Sequence, residues 1–151
     1  MILLIGGFGN VGLNLARYIQ LKNEDVTVLG RQEPTIVKKL FPEIKYIYQD
    51  VLSDKEWAIK DEYDIAVNLA YANGNFANKV IKENKIMMNN LNENSNKFNK
   101  VIHISTTAVN GYGSDPRIEL NNNYCWDDFY TLAKSTQEIE INKHDYPFHV
   151  L

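Results

Sequence analysis

An apolar run, Met1-Ile2-Leu3-Leu4-Ile5, ends in Gly6-Gly7-Phe8-Gly9-Asn10-Val11-Gly12, and a helical pattern follows at once. A strand that enters a helix through so tight a turn has few ways to fold. Gly6 removes a side chain where the chain turns. Gly9 removes one where backbone would meet a phosphate, and Gly12 removes one where helix meets sheet. The helix N-terminus, with Asn10 and Val11 in its first turn, presents unpaired N–H groups to an anion. This arrangement predicts a parallel α/β sheet with a grip for the pyrophosphate of a dinucleotide.

The rest of the chain alternates in the same way. Apolar or β-branched runs predict strands at Ile2–Ile5, Asp25–Leu29, Ile44–Tyr48, Ile65–Ala70, Val101–Ser105 and from Phe148 to Leu151. Between them, helical spacing predicts helices from Asn10 to about Lys22, Thr35 to Leu40, Asn78 to about Lys97 and Trp126 to about Asn142. Ser53-Asp54 is read as the cap of a further short helix reaching about Lys60. Six strands alternating with helices imply an α/β, doubly wound, mostly parallel sheet of Rossmann type, with strand order 3-2-1-4-5-6. The asparagine-crowded stretch from Asn89 to Asn99 reads as a loop or a frayed helix end, and as compositional bias rather than a site.

Length and composition bound the function. The chain has 151 residues, enough for one domain, here 1–151. Its formal net charge of −3 argues against a nucleic-acid footprint. Cys125 is the single cysteine, so no internal disulfide forms, and that fits a reducing compartment. The apolar start has no basic flank, and no stretch approaches the ~20 apolar residues of a membrane span. A cytoplasmic location with no membrane partner is the expectation.

Several side chains then stand out. At the end of the second strand, where a carboxylate would bind the ribose hydroxyls of NAD, the chain has Gly30 followed by Arg31. A cation there favours the 2′-phosphate of NADP over NAD; otherwise Arg31 is an ordinary surface arginine in a turn. Asp50-Val51, after the third strand, is placed to meet the adenine edge, or Asp50 is a solvated loop carboxylate. Tyr130 and Lys134 lie four residues apart, on one face of a helix. An ammonium beside a phenol favours the phenolate, and a phenol so tuned is a usable acid/base. Tyr18 and Lys22 share that spacing, but on the helix after the glycine turn, and read as a structural or surface pair. The Tyr130 pair instead follows a strand ending in Ile104-Ser105-Thr106-Thr107, and ligands of an open parallel sheet lie beyond the strands' carboxyl ends. His103 reads as a satisfied interior histidine, and Asp127 and Asp128 as helix-start residues. No His/Cys/Asp/Glu set has metal-ligand spacing.

In this order and spacing the motifs resemble the extended short-chain dehydrogenase/reductases, which include nucleotide-sugar epimerases, dehydratases and reductases. The glycine turn matches, with Ile5 where threonine is usual. Asn68-Leu69-Ala70-Tyr71 is similar to a segment, usually His-Leu-Ala-Ala, that lies along the cofactor. Asn84 through Asn90-Leu91 resembles a helix pattern in which Met87 and Met88 replace glycine and threonine. Ile104 through Gly111 resembles a serine/threonine segment that usually ends Val-Tyr-Gly, with Asn110 where tyrosine is common. Tyr130 and Lys134 match the Tyr-x-x-x-Lys pair.

The resemblance implies that Thr106, with Ser105 or Thr107 as alternate, polarises a substrate oxygen. It implies that Tyr130 is the general acid/base and that Lys134 holds the nicotinamide ribose. It adds Leu69, Ala70 and Asn84 to the cofactor-binding set of Gly6, Gly9, Asn10, Val11, Gly12, Arg31, Asp50 and Val51. The family's dehydratases carry Asp-Glu directly after the threonine; Thr107-Ala108 here points to epimerisation or keto reduction. Members usually continue into a smaller domain that binds the sugar nucleotide, and that half is absent from these 151 residues. The expected edge strand would expose unpaired backbone groups, which implies a second copy or a partner chain there. Members also dimerise through the two helices expected at Asn78–Lys97 and Trp126–Asn142. The readings carried forward are an NADP-linked oxidoreductase or epimerase of nucleotide sugars, and a catalytically silent dinucleotide-binding module.

Overall fold

Six parallel strands form one sheet in the order β3-β2-β1-β4-β5-β6 in a computed structural model, which describes residues 1–53, 55–110, 128–144 and 148–151. The strands are β1 (Ile2–Ile5), β2 (Val26–Gly30), β3 (Lys45–Tyr48), β4 (Tyr63–Asn68), β5 (Phe98–His103) and β6 (Phe148–Val150). The helices are α1 (Asn10–Leu21), α2 (Pro34–Leu40), α3 (Ala77–Glu93) and α4 (Phe129–Ile141). The strand order is the one expected from the sequence, and it reverses direction between β1 and β4. Asp54, Gly111, Cys125, Trp126 and Asp127, and the side chains of Thr107 and Asn110, lie outside the described residues.

The apolar runs explain the layers. Alternate residues of a strand point to opposite faces, so β1 feeds two cores. Leu3 and Ile5 join Met87, Met88, Leu91 and Ile141 from α3 and α4 on one face. Leu4 joins Val28 with Ala16 and Ile19 of α1 on the other. Each fully buried Leu or Ile of this kind contributes about 1.5–3 kcal/mol relative to exposure. Among the described residues, no helix is long and apolar enough to cross a membrane.

Three expectations are corrected. β4 spans Tyr63–Asn68 rather than 65–70, because Asn68 Oδ1 accepts from the Ala70 N–H at 3.2 Å and turns the chain out of the ladder. β5 begins at Phe98, in register with buried Tyr63, and ends at His103 rather than Ser105. The short helix read at 53–60 is not formed by the described residues there. That segment is held from outside instead. Asn90 Nδ2 donates to the Val51 carbonyl at 2.9 Å, Asn94 Nδ2 donates to the Lys55 carbonyl at 2.6 Å, and Asn94 Oδ1 accepts from the Trp57 N–H at 3.1 Å. Gln49 Oε1 accepts from the Ala58 N–H at 2.8 Å. Side-chain amides thus meet the backbone groups that a helix would have paired. The asparagine-crowded stretch is therefore structural: Asn90 and Asn94, one turn apart at the end of α3, are both buried.

Candidate functional site

The glycines of the first turn do three different things. Gly6 sits at φ +72°, and a Cβ there would lie 2.7 Å from Ala70 Cβ. Its N–H donates to the Leu29 carbonyl at 2.8 Å, which ties the turn to the end of β2. A Cβ on Gly12 would lie 2.4 Å from the Gly7 backbone, so only glycine lets α1 descend onto the turn. Gly9 is the reverse case: a Cβ there would meet nothing within 4 Å. Gly9 is also the N-cap of α1, and no side chain caps that end. Asn10 and Val11 follow, both exposed. An open approach to uncapped N–H groups fits an anion.

A cleft of about 330 Å³ opens at the carboxyl ends of β1, β2, β3 and β4. Of the residues expected to bind cofactor, Gly6, Gly9, Arg31, Asp50, Val51, Leu69 and Ala70 line it. Arg31 reaches across to Asp50 at 3.8 Å, with its side chain 66% exposed. Asp50 Oδ1 accepts from the Leu52 N–H at 2.9 Å, so this carboxylate is placed by its own loop. Phe8, in the glycine turn, stacks edge-on against Tyr46, whose hydroxyl donates to the Gly30 and Gln32 carbonyls at 2.7 Å each. The Tyr46 phenol fixes the turn that carries Arg31, a role the sequence did not signal.

Asn84 does not face the cleft. It is fully buried, and its Oδ1 accepts from the Ala72 N–H at 3.1 Å and from Gln137 Nε2 at 2.9 Å. Its Nδ2 donates to the Ala72 and Val80 carbonyls at 2.7 and 2.8 Å. With every polar atom engaged, Asn84 positions the 70–72 loop rather than touching a ligand. Gln137, one turn beyond Lys134, supports the same loop by donating to the Ala70 carbonyl at 3.1 Å.

The second group of candidates lies past the ends of β4 and β5. Asp128 caps α4: Oδ1 accepts from the Thr131 N–H at 2.7 Å and Oδ2 from its hydroxyl at 3.0 Å. This start sets Tyr130 at the exposed end of the helix and Lys134 one turn inward, buried. Lys134 Nζ donates to the Ile104 carbonyl at 2.7 Å and lies 5.6 Å from the centre of the Tyr71 ring. The Tyr71 and Tyr130 rings meet edge-on, 5.1 Å apart. Thr106 Oγ1, half-buried at the end of β5, accepts from the Ala108 N–H at 3.4 Å. Ser105 is engaged elsewhere, donating its hydroxyl to Glu138. Of the two alternates to Thr106 it is therefore already committed.

Burial lowers the Lys134 ammonium to about 8, while Glu138 acts to raise it. The expected lowering of the Tyr130 phenol by Lys134 is not found. Burial, then the Tyr71 and Asp128 charges, raise Tyr130. The reason is geometric: the ammonium is turned to the Ile104 carbonyl and the Tyr71 ring. Burial also raises Glu138, against the Ser105 hydrogen bond and Lys134, which lower it. His103 is buried beneath this group. Its Nδ1 is 3.0 Å from Asn68 Nδ2, and among the described residues its Nε2 has no partner. Because Asn68 Oδ1 is taken by Ala70, Nδ2 faces His103 and Nδ1 is the acceptor. The histidine is thus satisfied at one nitrogen, not both. Tyr18 and Lys22 form the surface contact expected of them, with Nζ 5.5 Å from the ring centre. No cluster of metal-ligating side chains occurs among the described residues.

Solved structures share this architecture. The fold superimposes on the Bordetella bronchiseptica enzyme WbmG, solved with NAD and UDP, at a TM-score of 0.72 and 15% identity, covering 99% of this chain and 51% of that one. It superimposes on a UDP-glucuronic acid 4-epimerase from Bacillus cereus, solved with NAD, at 0.70 and 20% identity, covering 99% and 55%. For the Helicobacter pylori ADP-L-glycero-D-manno-heptose-6-epimerase the values are 0.73 and 22%, covering 98% and 52%. The chain spans about half the length of these structures. No curated protein matches the sequence. Residues 2–143 match the NAD dependent epimerase/dehydratase family, so nearly the whole chain is accounted for. The chain belongs to the NAD dependent epimerase/dehydratase family.

Proposed function

We propose that this chain is the cofactor-binding half of an NAD-linked enzyme that epimerises or reduces a carbon of a nucleotide sugar. The observation that carries the reading is the glycine turn. Gly6 at positive φ, Gly12 against Gly7 and open space at Gly9 leave room for a pyrophosphate at the N-terminus of α1. Leu69 and Ala70 would lie along the dinucleotide, and Asp50 would accept from adenine or ribose. A bound nicotinamide would supply the hydride chemistry. Tyr130 would give or take the proton of the sugar hydroxyl, and Thr106 would hydrogen-bond the same oxygen. Lys134, buried and held by the Ile104 carbonyl, is placed to bind the nicotinamide ribose.

NAD is favoured over NADP by Asp50, a carboxylate on the cleft wall that would repel a 2′-phosphate, and by the NAD present in two similar structures. Arg31 favours the second reading, NADP, because its guanidinium is mostly exposed and leaves Asp50 at little cost. Calorimetric titration of wild type and Arg31→Ala with NAD⁺ and NADP⁺ separates the two. The expected outcome is binding of NAD⁺ that changes by less than about fivefold in the variant, since an exposed pair is worth ~1 kcal/mol or less. NADP⁺ binding that is tighter at the start and falls about tenfold or more in the variant would establish NADP instead. Absence of binding by both would refute the cofactor reading.

A further inference from the structure

Among the described residues, the cleft and the reactive side chains are neighbours that do not share a wall. The cleft is lined by the glycine turn, by the 30–32 and 49–52 segments and by 69–72, with Met87 at its floor. Thr106, Tyr130 and Lys134 are not among its lining residues. Among the described residues, one side chain belongs to both places. Tyr71 lines the cleft, lies 5.1 Å from the Tyr130 ring and has the Lys134 ammonium 5.6 Å from its centre.

We infer that the Tyr71 ring is a partition between the cleft and the Lys134–Tyr130 pair, and that it limits how well the nicotinamide half of a dinucleotide binds. This rests on the dinucleotide reading above. A dinucleotide gripped at the glycine turn crosses the switch point between β1 and β4, so its second half must run toward β5 and α4. The 70–72 backbone on that route is fixed by Asn84 and Gln137. The ring itself is 42% exposed, and among the described residues no hydrogen bond holds its phenol. Its contacts are an edge-on ring and a cation, both individually small. The backbone is therefore the fixed part and the ring the movable one. With the ring in place the ADP-ribose half finds its cleft complete, while the other half meets an aromatic face.

The test compares NAD⁺ with ADP-ribose, which lacks nicotinamide, by calorimetry on wild type, Tyr71→Ala and Tyr71→Phe. In wild type the two ligands should bind alike. In Tyr71→Ala, the affinity for NAD⁺ relative to ADP-ribose should rise about tenfold, the factor lost when a competent form is only a tenth populated. Tyr71→Phe keeps the ring and should behave as wild type. An unchanged ratio in Tyr71→Ala, an equal gain for both ligands, or a loss confined to NAD⁺ would each overturn the partition. So would a gain in Tyr71→Phe equal to that in Tyr71→Ala, which would assign the effect to the hydroxyl. Failure of every variant to bind either ligand would overturn the dinucleotide reading and the partition with it.

Discussion

Gly9 and Gly12 are three residues apart and chemically identical, yet their surroundings predict opposite failures. A methyl at 12 would lie 2.4 Å from the Gly7 Cα and oxygen, backbone atoms that cannot turn aside. The helix must lift, and overpacking of this kind costs about 1–3 kcal/mol. A methyl at 9 would meet nothing within 4 Å, so the fold should tolerate it while the approach of a phosphate is obstructed. Gly12→Ala should lower the denaturation midpoint, whereas Gly9→Ala, losing only an N-cap preference, should lower it less and weaken NAD⁺ binding. Urea titration and calorimetry on the two variants check this. Full binding by Gly9→Ala would remove that residue from the site.

At the scale of elements, β4 and β5 are joined through an interior polar pair, because register sets Asn68 beside His103. His103 is buried, with one nitrogen accepting from Asn68. Burial, and secondarily the Lys134 charge, lowers it from 6.5 to about 3. The folded chain therefore holds a neutral imidazole while the unfolded chain takes up a proton below 6.5. The unfolded state binds more protons between about pH 3 and 6.5, so stability is complete above 6.5 and is lost as pH falls through that window. A shift of this size is worth several kcal/mol, ~5 as an upper figure. His103→Gln keeps an acceptor for Asn68 but does not titrate. Equilibrium denaturation at a series of pH values should show a shallower acid loss in the variant, the carboxylates contributing equally to both proteins. Parallel acid profiles would show that His103 is protonated in the fold. The same junction shows why the strands end where the sequence alone does not end them. Ile104 continues the apolar run of β5, but the pairing that ends the ladder depends on Asn68 and Ala70, which are remote in sequence.

Across the whole molecule, what the sequence disclosed was its local order. Each apolar run is a strand, each glycine of the first turn has the surroundings its spacing implied, and the crossovers left one strand order. What it concealed was tertiary. Asn90 and Asn94 look like bias in a chain rich in asparagine, but each is buried and holds a loop from a distance of 39 residues. Tyr71 looks like a variant motif position until its ring is seen against Tyr130. These long links make the cleft a property of several junctions rather than of one loop, since Gly30 of β2, Met87 of α3 and the segments that follow β1, β2, β3 and β4 all contribute to its wall. A ligand that bridges them should stabilise the folded state as a unit. At a hundred times its dissociation constant the gain is about 2.7 kcal/mol. For a domain of this size that corresponds to a rise of roughly 5–10 °C in the melting midpoint. ADP-ribose is the sharper probe than NAD⁺, because it needs only the cleft and not the space behind Tyr71. Thermal denaturation followed by both secondary-structure and aromatic signals should show one coincident transition displaced upward. A displacement in the aromatic signal alone would mean that the ligand orders only part of the fold, and the cleft would then be a local pocket rather than the junction of the fold.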